Sequence, residues 1–233
     1  MHSKVILYLS LIFIQTFTNC DRKFQWLTIG DSITQQDGKA YLAGVHKGNK
    51  AIGYQTIIGK QIDSLRIFNE GYRGLTLTAG KRSLFPKVIN LDFEKFDLVS
   101  IFCGTNDFKL NMEIGDLNNQ NLDKTTFFGA YNSLIQKIKQ KKPSVQIVLI
   151  TPLQRNKDNY SSFTQNTKNY KLDDYVNAIY AIGLLHDLKI VDLYNDPDFT
   201  FERLDELTYD GLHPNDLGYK IIGERILDEV FKD

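Results

Sequence analysis

The chain has 233 residues, 42% hydrophobic and 24% charged, which suits one globular domain with a sizeable core better than two small ones. Its 28 basic residues balance 28 acidic ones and no long basic run occurs, which argues against a nucleic-acid binder. No low-complexity tract and no repeat of solenoid period is present.

His2 and Lys4 precede an apolar run from Val5 to Ile14, and polar residues return at Gln15. An apolar core this short, behind a basic start, predicts a signal-peptide h-region rather than a spanning helix, with a buried first helix as the alternative. Cys20 stands where a lipid-modified cysteine follows such a segment, so membrane anchoring through a lipidated Cys20 is an alternative to release. Asn19, however, is not the small residue that bacterial lipoprotein sites carry. The expected division is therefore residues 1–20 as an export signal and 24–233 as one folded domain, secreted or held at a bacterial cell surface.

From Phe24 the pattern alternates between strand and helix. Phe24–Ile29 reads as a buried strand, followed by Gly30-Asp31-Ser32-Ile33-Thr34 and a glycine-bearing loop. Tyr54 to Leu65 has the i, i+3, i+4 apolar spacing of a helix face, Arg66–Asn69 is a short strand, and Leu84–Leu91 is a helix with Pro86 in its first turn. Leu98–Phe102 is a strand that ends at Cys103-Gly104-Thr105-Asn106-Asp107, and Cys103 reads as a free buried thiol. A polar loop over 109–124 leads to a helix over 125–142, stopped by Pro143, and to a strand over 145–150. The polar stretch 154–169 is long for a loop, and such loops are often functional. A helix over 172–188, a strand over 190–193 and a last helix over 216–231 complete the chain. Strands separated by helices predict a five-stranded parallel sheet with helices on both faces. In such a sheet ligands bind at the carboxyl ends of the strands.

Four stretches reach that edge, and together they hold what acyl transfer by a serine needs. A serine just past a strand end, beside a turn-permitting glycine, can project its hydroxyl outward, which makes Ser32 the candidate nucleophile. Of four histidines, His2 lies in the leader, His186 within a helix pattern, and His46 in a loop with no orienting carboxylate near it in sequence. His213 follows Asp210 by three residues across a glycine, a spacing that lets the carboxylate hold the ring while its other nitrogen faces Ser32. Gly71, which has no Cβ, and the side-chain amide of Asn106 are candidate oxyanion donors at two further strand ends. Each stretch taken alone also reads as ordinary turn chemistry.

The order Ser, Gly, Asn, Asp–His resembles the SGNH, or GDSL-type, hydrolases. Gly30 to Thr34 matches the first block in its GDSIT variant. Asn69-Glu70-Gly71 matches the glycine block, Gly104-Thr105-Asn106-Asp107 the GxND block, and Asp210 to His213 the DxxH block. The resemblance spans roughly residues 25–230 and implies a flavodoxin-like three-layer α/β/α sandwich. It implies Ser32 as nucleophile, His213 as base and then acid, and Asp210 as its orienter. The implied oxyanion hole is formed by the Ser32 and Gly71 amides with the Asn106 side chain. It implies no metal and no organic cofactor.

The expected substrate is a small-molecule or glycan ester. Export and the polar, Asn- and Tyr-rich 154–170 loop point to acetyl groups on a carbohydrate. A lipase, lysophospholipase or thioesterase activity, and an idle glycan-binding protein on the same fold, are the alternatives. Asp31 and Arg155 are the expected substrate contacts, Arg155 toward an anionic or polar group.

Overall fold

The computed structural model describes residues 22–232, so the expected export signal and Cys20 lie outside the described residues. The strands and helices, in chain order, are β1 (Phe24–Gly30), α1 (Ser32–Gln35), α2 (Tyr54–Gly59), β2 (Leu65–Gly71), α3 (Phe85–Val88), β3 (Leu98–Phe102) and α4 (Thr105–Lys109). They continue as α5 (Phe127–Lys141), β4 (Gln146–Ile150), β5 (Asn156–Lys157), β6 (Tyr160–Ser161), α6 (Leu172–His186), β7 (Lys189–Val191), α7 (Leu204–Leu207) and α8 (Asp216–Val230).

Five strands form one parallel sheet in the order β2-β1-β3-β4-β7, and β5 and β6 form a separate antiparallel hairpin. Alternation along the strands explains why both faces are covered. Leu27, Ile29, Val99, Ile101, Ile147 and Leu149 point into the apolar layer shared with α5 and α6. Trp26, Leu98, Val148 and Ile150 point into the layer shared with α2 and α8. Polar groups inside the sheet are paired: the buried Trp26 indole donates to Ser100 Oγ at 3.0 Å. The result is the expected three-layer α/β/α sandwich.

The chain runs from β1 outward to β2, then crosses to the other side of β1 to form β3. Connections leaving β1 and β3 diverge there, and the gap between them is the natural place for a ligand. Ser32 follows β1 and Asn106 follows β3, so this crossing sets the site.

Several element boundaries differ from the sequence-based expectation. α2 stops at Gly59, and Leu65 belongs to β2. The residues after β3 form α4 rather than a loop, and the polar stretch after β4 contains the β5–β6 hairpin. Cys103 is buried and free, as expected.

Candidate active site

Glycine places Ser32. A Cβ on Gly30 would stand 2.0 Å from Thr34 Oγ1 and 3.0 Å from the Phe102 carbonyl, so only glycine lets β1 turn into α1 this tightly. Asp31 caps α1 by accepting from Ile33 N at 2.9 Å, which fixes Ser32 as the first helical residue. At that position the Ser32 amide has no intrahelical acceptor.

His213 arrives on the loop between α7 and α8. Thr208 pairs with Pro214 as an isolated bridge, Thr208 Oγ1 accepts from Gly211 N at 2.8 Å, and Gly211 adopts φ +79°. The Tyr209 ring stacks on the imidazole, 5.5 Å between centroids and 14° apart in plane. Asp210 accepts from the His213 backbone amide at 2.9 Å and meets His213 Nδ1 at 2.8 Å. With Nδ1–H donating to that carboxylate, Nε2 carries the lone pair. Nε2 lies 2.9 Å from Ser32 Oγ. The three expected side chains thus form a continuous chain of hydrogen bonds between residues 181 apart in sequence.

Electrostatics reinforce that arrangement. Burial works to raise the Asp210 carboxyl. The hydrogen bond and charge of His213, joined by the ion-paired Lys157, outweigh it and hold Asp210 well below the usual carboxylate range. Asp210 is therefore ionised wherever His213 can act as a base.

Three expected site residues need correction. The Gly71 amide is already bonded to Asn69 Oδ1 at 2.9 Å, and a Cβ there would meet Gln35 N at 2.3 Å. Its glycine serves the close approach of β2 to α1, and its N–H is not free for an oxyanion. Three residues on, Gly74 lines the cleft with Ser32, Asn106 and His213, and its amide makes no hydrogen bond among the described residues. Gly74 adopts φ +68°, a left-handed turn that favours glycine. This second glycine, close behind the first, was the signal that could have found it.

Asp31 is 3% exposed and spends its carboxylate on capping α1. Burial, with the nearby Asp107, pushes it up to about 7 against the helix-capping bond. Arg155 is fully buried and cannot reach substrate. It donates to Thr105 O and Oγ1, at 3.1 and 2.8 Å, and to Tyr160 O at 3.1 Å, so it pins α4 to the hairpin.

Asn106 sits within α4, with one N–H of its amide donated to Leu75 O at 3.1 Å and the second left for the cleft. Its neighbour Asp107 accepts from Leu77 N, Thr78 N and Thr78 Oγ1, at 3.2, 2.9 and 2.6 Å. Together these bonds clamp the segment after Gly74. The Asp of the GxND block therefore has a structural reason that spacing alone did not give.

The sequence model of the GDSL-like lipase/acylhydrolase family matches residues 28–221. Among solved structures, a possible lipase from Chitinophaga pinensis is 28% identical, with TM-score 0.74 over 90% of this chain and 98% of that one. A protein from Lactobacillus plantarum is 26% identical, with TM-score 0.75 over 90% and 98%. An acetyl xylan esterase shares the fold at 22% identity, with TM-score 0.63 over 89% and 100%. No curated protein matches the sequence. The matched span contains Ser32, Gly74, Asn106, Asp210 and His213, and the chain belongs to the GDSL-like lipase/acylhydrolase family, as an ester-hydrolysing enzyme.

Proposed function

We propose that the protein is a serine esterase that removes short acyl groups, acetyl foremost, from a carbohydrate. The observation that carries this reading is the size of the cleft over Ser32. It holds about 130 Å³, against the roughly 300–1,000 Å³ of pockets for drug-sized ligands. Leu110 and Leu212 supply its apolar wall, and its rim is polar and charged. Within that cleft a long acyl chain finds apolar surface only at Leu110 and Leu212. The apolar run 5–14 supports the same reading, since an exported enzyme meets extracellular glycans.

In the proposed reaction Ser32 Oγ attacks the ester carbonyl carbon while its proton passes to His213 Nε2. Asp210 holds the resulting imidazolium. The carbonyl oxygen becomes an oxyanion that accepts from the Ser32 amide, the Gly74 amide and the Asn106 side chain. As the tetrahedral intermediate collapses, His213 gives its proton to the departing sugar oxygen, which leaves as the alcohol with Ser32 acylated. Water then attacks the acyl-enzyme with His213 as base. The acid leaves and Ser32 regains its proton.

The test is kcat/KM for p-nitrophenyl esters of increasing acyl length. The acetate should be the best substrate, with activity falling steadily toward the octanoate. Activity that climbs with chain length would instead support the lipase reading.

A further inference from the structure

The rim of the Ser32 cleft carries four cations, Arg73, Arg82, Lys109 and Lys157, against one lining carboxylate, Asp158. Lys109 is paired with Asp158 and Lys157 with Asp210, so both lysines are locally neutralised. Arg73 and Arg82 have no carboxylate within ion-pair distance among the described residues. Arg73 donates to the neutral Gln36 Oε1 at 2.8 Å, which steers the guanidinium without cancelling its charge. Arg82 is held through its backbone, whose carbonyl accepts from Thr76 N and Thr76 Oγ1, both at 2.9 Å. Its Nη2 lies 2.9 Å from where a Cβ on Gly74 would stand, beside the proposed oxyanion donor.

The whole chain has a formal net charge of zero, whereas the cleft lining carries four cations against one carboxylate. Guanidinium forks suit carboxylate and phosphate oxygens, which they bind through paired N–H donors. We propose that the natural ester carries an anionic oxygen group, a carboxylate or a phosphate, on its alcohol portion, and that Arg73 and Arg82 bind it. The alcohol side is assigned because the small cleft is taken by the acyl group in the proposed reaction, while both arginines, though they line it, are exposed to solvent. The proposal rests on the esterase reading above and narrows its substrate class.

The experiment compares three mono-acetylated methyl glycosides that differ only at C6: a glucoside, a glucuronoside and a glucoside 6-phosphate. At low ionic strength at least one anionic ester should exceed the neutral one in kcat/KM by about tenfold, chiefly through KM, and salt should narrow the gap. Whichever anionic ester gains more identifies the charged group. Arg73→Gln and Arg82→Gln should each pull the anionic-to-neutral ratio toward one. Lys60→Gln, an exposed cation outside the cleft lining, should keep the wild-type ratio.

Equal kcat/KM on all three glycosides would overturn the charge assignment and leave the esterase reading standing. A preference confined to a succinyl monoester of the neutral glucoside would overturn the placement on the alcohol side. If no acetyl ester is turned over, the esterase reading fails and calorimetry with Ser32→Ala decides the charge question separately. Tighter binding of an anionic ester than of the neutral glucoside would sustain the assignment, and equal binding or none would overturn it.

Discussion

In the proposed reaction the Asn106 amide does two jobs, holding the segment after Gly74 through Leu75 O and offering its second N–H to the developing oxyanion. A donor used only in the transition state affects kcat rather than ground-state binding. Asn106→Ala should therefore lower kcat by about 10²–10³ with little change in KM, the loss typical of one oxyanion donor. Steady-state kinetics on p-nitrophenyl acetate check this, and a wild-type kcat would remove Asn106 from the site. Asp31 makes a different, thermodynamic prediction. Its folded value of about 7 lies above its ordinary 3.8, so between those values the native state holds a proton that the unfolded chain has lost. Stability from this group is complete below about pH 4 and declines as pH rises toward 7. Asp31→Asn keeps an acceptor for Ile33 N and has no charge to bury. Its melting temperature relative to wild type should rise from pH 4 to pH 8, and a pH-independent difference would contradict the assignment. The meeting of Ser32, Asp210 and His213 was legible because their motif spacing reports it directly. Gly71 was misread because spacing does not show that Asn69 Oδ1 already occupies its amide. Arg155 was misread because its burial depends on Thr105 and Tyr160, far from it in sequence.

The β5–β6 hairpin braces the loop that carries Asp210 and His213. Asn156 N donates to Gly211 O at 2.7 Å, and a Cβ on Gly211 would stand 2.1 Å from Asn156 O. Its Lys157 ion-pairs with Asp210 and so ties the hairpin to the same loop. Lys157→Met should therefore lower the melting temperature by about 1–3 °C in thermal denaturation. An unchanged melting temperature would contradict the bracing. The strands were readable because the sheet is buried on both faces, which gives continuous apolar runs such as Leu98–Phe102. α4 was not readable, since Thr, Asn and Asp are poor helix formers. Its first turn is set by tertiary bonds from Arg155 to Thr105 and from Leu77 and Thr78 to Asp107.

At the scale of the molecule, the topology matters more than any single element. The crossing between β2 and β3 opens the sheet edge where Ser32 and Asn106 emerge, and the loop before α8 returns His213 to the same edge. The neutral chain nevertheless gathers cations at one rim, a property that overall composition could not reveal. The proposed reaction depends on Ser32 being a nucleophile activated by His213. Reaction with a fluorophosphonate followed by peptide mass mapping tests that most directly. The expected result is a single adduct on the Ser32 peptide, formed rapidly by the wild type and largely lost in His213→Ala. An adduct on another serine, or undiminished labelling of Ser32 without His213, would contradict it.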